Sequence, residues 1–191
     1  LYSSILDPDP VIFLEHRWLH FTKGSIDKSY KKNEIGKCTV IRKGRHLTLC
    51  TMSYMVIEAI KAANILIDFG IEIEIIDLRT IRPIDFKTIN KSISKTSALL
   101  CVDPGANNFS ISNTIISYYA LKNKKFKYKP EIIAMPNSSE PTSHYMTKDF
   151  YNDFKTIVKK VFKILKIRKN IKFEKSNTSH DIPSSTFQGP F

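Results

Sequence analysis

The spacing of apolar and polar positions changes several times along the chain, and each change marks an element. Residues 10–15 (PVIFLE) form an almost unbroken apolar run, which predicts a short buried strand. Residues 22–33 are polar and basic and contain Gly24, a linker composition. From Ile35 the pattern becomes regular. Strands are expected over 38–42 and 47–52, with a turn at Gly44 and Arg45 between them. Val56, Ala59, Ile60, Ala63, Leu66 and Ile67 then recur at helical spacing, with Ser53 as the expected cap and Gly70 as the expected stop. A third strand covers 71–77. In it Glu72 and Glu74 alternate with Ile, so one side is expected to face solvent or an edge. Asp85 is placed to cap a helix over 86–95 with Phe86, Ile89 and Ile93 as its stripe. A strand at 98–102 breaks at Asp103, Pro104 and Gly105. A helix over 110–121 and a last strand over 131–135 follow. Phe150, Phe154, Ile157, Val158, Val161, Phe162 and Leu165 predict one long amphipathic helix over 148–165.

Strands alternating with helices imply right-handed crossovers and a mostly parallel sheet. The fold class expected is α/β: a three-layer sandwich with a mostly parallel five-stranded sheet, one antiparallel strand, and helices on both faces. The antiparallel strand falls near the start, because residues 42–45 are too few for a crossover. Three segments are expected: residues 1–33 as the end of an upstream domain plus linker, 34–165 as the main domain, and 166–191 as a polar tail.

The 191 residues are enough for one full core and part of another. The sequence opens on Leu1 and Tyr2 without an initiator Met, as a fragment or processed product would. No run of apolar residues is long enough to span a bilayer, so no membrane partner is expected. Cys38, Cys50 and Cys101 lie in or beside apolar strands and form no C-x-x-C pair. Buried structural thiols point to a reducing compartment, the cytoplasm or an organelle matrix. The net charge of +12 rests chiefly on Lys. Lys122, Lys124, Lys125, Lys127 and Lys129 cluster, but no aromatic–basic stacking motif or zinc-finger spacing accompanies them, so nucleic acid is not the expected partner.

Little catalytic chemistry is visible. The six glycines make neither a dinucleotide fingerprint nor a phosphate loop, and there is no nucleophile elbow. His16 and His20 are four apart but lack a third ligand. The best candidate positions follow the strand ends, where open α/β sheets bind ligands: residues 51–54, 77–82, 103–108 and 136–144. For Asp103 the structural reading is a bond to its own turn.

Several of these stretches resemble one family. PVIFLEHRWLH (10–20), IGK (35–37), SYMVIEA (53–59) and DLRTIRPID (77–85) are similar, in order and spacing, to the beta subunit of thiamine-diphosphate-dependent 2-oxo acid dehydrogenases of the pyruvate or branched-chain type. PNSSEPTS (136–143) resembles the family's Pro-Asp-x-Pro-x-Pro-x-Ser loop, with Asn137 in place of Asp. The family's Gly-Gly-Phe-Gly-Ala-Glu run is replaced within PGANNFSISNT (104–114), and Thr114 stands at the glutamate position. The matching region resembles the C-terminal domain shared with transketolase and deoxyxylulose-phosphate synthase, and residues 1–33 would then end an upstream pyrimidine-binding domain.

The resemblance implies oxidative decarboxylation of a 2-oxo acid by a complete complex, with this piece serving subunit association. Thiamine diphosphate and Mg²⁺ would be held elsewhere in the complete enzyme, with none expected on this piece. The implied partners are an alpha subunit or domain in a homodimer or heterotetramer, and the acyltransferase core. Arg79, Arg82, Asp85, Asp103 and Glu140 are the residues expected at an interface. No catalytic, cofactor-binding or metal residue is expected. A transketolase-type or deoxyxylulose-phosphate-synthase-type domain is the alternative within the class. Outside it stand a small enzyme around Asp103 and His144, and a basic module for nucleic acid or an acidic partner. The module would use residues 121–175, where fifteen Lys and Arg face five Asp and Glu.

Overall fold

The structure, a computed structural model, describes residues 1–24, 33–169 and 171–173. The expected tail over 166–191 therefore falls largely outside the described residues, as does most of the expected linker. The elements are α1 (Tyr2–Ile5), β1 (Thr39–Arg42), β2 (Leu47–Thr51), α2 (Met55–Ile67), β3 (Ile73–Asp77), α3 (Phe86–Thr96), β4 (Leu99–Ala106), α4 (Ile111–Leu121), β5 (Glu131–Met135) and α5 (Phe154–Ile164). The strands lie in the order β1-β3-β2-β4-β5. β1 runs antiparallel to β3, and the other three pairings are parallel. This is the mostly parallel sheet with one antiparallel strand that the pattern predicts.

Strand alternation sorts the apolar side chains into two cores. Leu47, Leu49, Ile73, Ile75, Leu100 and Val102 pack beneath α2 and α5. Cys50, Ile76, Leu99 and Cys101 point to the opposite face, beneath α3 and α4, where Ile89, Ile93, Ile115 and Tyr119 meet them. Successive strand residues face opposite sides, so helices on both faces are needed to bury both sets. Thr48 also points toward α3, where its hydroxyl bonds Ser92 and Thr96 at 2.7 Å each. A buried polar group is thus satisfied within the layer.

Four sequence expectations are corrected. Residues 10–15 are not a strand and are not buried; Ile12 is 87% and Leu14 80% exposed. The edges of the described sheet are β1 and β5, and neither receives this run. An unbroken apolar stretch signals burial without saying against what. Glu74 is not solvated. It is 4% exposed on an interior strand, where its carboxylate accepts from the Lys95 ammonium and from Gly44 N at 3.2 Å. A Cβ on Gly44 would lie 2.3 Å from the Ile73 carbonyl carbon, so only glycine lets the turn before β2 come this close.

Ser53 does not cap α2. Its φ is +58, Tyr54 occupies the cap position, and no side chain caps the helix. The expected helix over 148–165 is broken. A 3-10 turn, Met146–Asp149, precedes an irregular stretch, and α5 starts only at Phe154. Asp153 is extended, and its carboxylate accepts from Thr156 N at 2.9 Å. Phe150 and Phe154 sit four apart on either side of this cap and mimic a continuous stripe. Gly70 does take the left-handed turn after α2, with φ +74.

Candidate association surface

The four loops after β2, β3, β4 and β5 share one end of the sheet, the carboxyl end of its parallel strands. The loop after β3 receives the chain as it enters the domain. Arg79 Nη1 donates to Asn33 Oδ1 at 3.0 Å, Gly36 N donates to Thr80 Oγ1 at 3.0 Å, and Cys38 N donates to Asp85 Oδ2 at 3.2 Å. Three bonds therefore fasten residues 33–38 to residues 79–85. Arg79 also pairs with Asp77 at 3.6 Å and has a φ of +54. The charge in this loop is spent largely on holding the incoming segment.

Asp85, expected both as the cap of α3 and at an interface, is buried and does cap α3, accepting from Thr88 N at 3.1 Å and Thr88 Oγ1 at 2.6 Å. Burial alone would raise its pKa. The bonds from Thr88 and from Cys38 N outweigh that and hold the carboxyl below its ordinary range. Asp77 shows the opposite balance. Its burial prevails over the Arg79 bonds and its pKa is raised.

Asp103 is likewise buried, and both its oxygens serve the backbone. One accepts from Gly105 N at 2.9 Å and the other from Ser112 N at 3.4 Å, inside the first turn of α4. The structural reading of this residue is the one found. The loop it anchors is further fixed by Asn107 N to Met135 O at 2.9 Å and by Asn108 N to Asn137 Oδ1 at 2.6 Å. Asn113 Nδ2 donates to the Asn107 carbonyl and, at 3.1 Å, to Ser110 Oγ. At the centre of these bonds stands Phe109, with a φ of +63 and a side chain 101% exposed. A bulky residue in the left-handed region is a true backbone outlier, and this one presents its whole ring to solvent.

Of the expected residues, Arg79, Arg82 and Glu140 are exposed, while Asp85 and Asp103 are buried and committed to backbone bonds. The Glu140 carboxylate accepts from the Tyr151 hydroxyl. Sequence reasoning missed Phe109, one residue beyond the candidate stretch 103–108. The available signal was a lone aromatic within Asn107, Asn108 and Ser110, immediately before a helix cap.

The chemistry of this end is quiet. Among the described residues no group of three His, Cys, Asp or Glu is arranged to hold a metal ion. His16 Nδ1 accepts from Trp18 N at 3.3 Å, and its ring packs 4.4 Å from Tyr54. Its burial, aided by His20, lowers its pKa. His20 lies 3.8 Å from Glu15. His144 is exposed, whereas Asp103 is buried and committed to backbone bonds. Burial, with Asp85 nearby, pushes the Cys38 thiol up to about 11. Cys50 is raised too, by its bond with Cys101 and by burial. Thiols held protonated are poor nucleophiles. A cavity of about 380 Å³ opens along β5 between Asn107, Pro136, Asn137 and the Thr156 and Lys160 side chains. Among the described residues no helix is long and apolar enough to cross a membrane.

Comparison with known proteins adds the following. The family model described as transketolase, C-terminal domain, matches residues 36–161. The pyruvate dehydrogenase E1 component subunit beta-1, mitochondrial, of Arabidopsis thaliana is 44% identical over 110 residues, 55% of this chain and 30% of the relative. The acetoin:2,6-dichlorophenolindophenol oxidoreductase subunit beta of Cupriavidus necator is 33% identical over 144 residues, 75% of this chain and 43% of the relative. The pyruvate dehydrogenase E1 component subunit beta of Bacillus subtilis is 36% identical over 118 residues, 61% of this chain and 36% of the relative. The chain thus spans less than half the length of these relatives. A solved split-gene transketolase, in an inactive beta4 tetramer, superposes with a TM-score of 0.64 at 17% identity, over 76% of this chain and 47% of that one. That likeness concerns the fold.

Proposed function

Since the chain belongs to the transketolase C-terminal domain family, we propose that it is the association domain of a thiamine-diphosphate-dependent 2-oxo acid dehydrogenase beta subunit. The relatives that support this reading are beta subunits of pyruvate dehydrogenase and acetoin-oxidising enzymes. In the complete enzyme the reaction is oxidative decarboxylation of a 2-oxo acid. This domain joins the beta subunit to an alpha subunit in a heterotetramer and offers a surface to the acyltransferase core.

The described residues do not fit a grip on thiamine diphosphate and Mg²⁺. The carboxylates at the carboxyl end of the sheet are already spent: Asp85 on the first turn of α3, Asp103 on that of α4, and Asp77 on Arg79. No chemical step is therefore assigned to this domain. Residues 1–33 are read as the end of an upstream pyrimidine-binding domain, residues 34–165 as the association domain, and 166–191 as its tail. The exposed run 11–14 supports that division, because an exposed apolar segment with no sheet partner among the described strands fits a strand that completes another sheet. Arg79, Arg82 and Glu140 remain interface residues in this reading. Asp85 and Asp103 serve the interface by shaping the loops that reach it.

The observation that carries the proposal is Phe109: a fully exposed aromatic, in a strained backbone, on a loop fixed from every side. Aromatic side chains dominate association energies, and strain concentrates where a partner requires a given shape. The test is Phe109→Ala in the full-length subunit co-expressed with its alpha partner. Light scattering is expected to show dissociation about tenfold or more easier than wild type, with the thermal midpoint of the isolated beta chain unchanged. An unaltered assembly would overturn the proposal.

A further inference from the structure

The opposite end of the sheet, where the helices finish, carries a feature that the association reading does not use. After α5 the chain reverses at Lys166, which has a φ of +57, and Ile167 N bonds the Phe162 carbonyl at 2.9 Å. The reversal lays Ile167 and Ile171 back against the core beside Val158 and Phe162. Between them is a slot of about 230 Å³, rimmed by Lys159, Lys163 and Lys169. Lys169 rests 5.2 Å from the Phe69 ring, a contact that positions its ammonium without neutralising it. Lys160, one residue along, is by contrast matched by Glu131 at 3.3 Å. Among the described residues no carboxylate pairs with the three rim lysines.

We propose that this slot docks an acidic polypeptide segment, one aliphatic or aromatic side chain entering the slot and flanking Asp or Glu residues meeting the three ammonium groups. The slot volume suits one such side chain. The charge around it is of one sign, and a ring of like charge about an apolar centre selects its complement. Nucleic acid is the poorer fit. The one aromatic in the slot wall, Phe162, is buried and offers little face for a base to stack on, and the rim holds point-charge ammonium groups rather than the planar forks that read phosphate and base edges. The site lies at the end of the sheet away from Phe109 and does not depend on the association reading.

The experiment uses the full chain and two labelled peptides of about twelve residues, rich in Asp and Glu, one with a single central Leu and one with Ser in its place. By fluorescence anisotropy the Leu peptide is expected to bind with micromolar affinity at low salt and to weaken about tenfold between ~50 and ~300 mM salt. The Ser peptide is expected to bind about tenfold more weakly, the cost of an empty slot. Lys163→Glu should weaken the Leu peptide about tenfold, and Lys163→Arg should retain it. Lys124→Glu, in the separate lysine cluster, should leave it within about twofold; circular dichroism confirms that each variant is folded. Equal binding of the two peptides would overturn the proposal. So would equal sensitivity to Lys124→Glu and Lys163→Glu, tighter binding of a single-stranded oligonucleotide of matched length, or no binding at all.

Discussion

The two ends of this one sheet are held together by opposite means. At the carboxyl end, polar groups fix the backbone and an apolar ring is left in water: Asp85 and Asp103 are buried, and Phe109 is outside. At the amino end, apolar groups fix the backbone and charges are left in water: Ile167 and Ile171 fold inward, and Lys159, Lys163 and Lys169 surround them. A loop with little core beneath it keeps one shape only through directional bonds. A segment seated on a core relies on few of them, and its surface is free to carry charge. The first arrangement specifies geometry, the second specifies sign.

The comparison breaks most visibly at Asp85. Removing it in Asp85→Ala takes away a helix cap and a bond to Cys38 N, for an expected loss of about 2–3 kcal/mol in urea unfolding. An unmoved midpoint would mean that the carboxyl end is not held by its buried carboxylates. The same residue gives a pH signature. Its folded pKa is depressed, so its contribution is complete above the pKa of the unfolded carboxyl and is lost as pH falls through the folded value. The stability gap between wild type and Asp85→Ala is expected to close on acidification; parallel curves would contradict this.

A smaller effect is expected at Phe109. In Phe109→Gly the isolated chain should keep or raise its urea midpoint, since glycine accepts a positive φ without steric cost; a fall would show that the ring serves the fold itself. The smallest effect is at Tyr119. Its hydroxyl is the buried side-chain atom without a hydrogen-bond partner among the described residues, and burial raises its pKa. Tyr119→Phe should therefore be neutral or stabilising by up to about 1 kcal/mol, measured by thermal melting; a loss above that size would reveal a bond to the hydroxyl.

Most of the sandwich was legible in the sequence because its elements carry a clean period. The stripe in α3 and the cap at Asp85 stand where the pattern puts them, and the short turn at Gly44 does yield the antiparallel strand. The misses share a cause: local pattern does not name the partner. The alternation of Glu74 with Ile reads as a wet face until Lys95 arrives from a helix, twenty-one residues along the chain. The run 10–15 reads as buried until the described sheet forms without it. Phe150 and Phe154 read as one stripe until Asp153 starts a new helix between them. On the candidate association surface, charge draws attention to Arg79 and Arg82. The outlier, Phe109, shows in the sequence only as a lone aromatic among polar residues, and no residue type announces its backbone angle.

The bare ribbon from Val11 to Leu14 has a practical consequence. Made by itself, the polypeptide is expected to self-associate through this exposed apolar run, with soluble yield limited there rather than by the stability of the sandwich. A single gatekeeper such as Ile12→Lys should cure that stickiness and leave the melting temperature where it was.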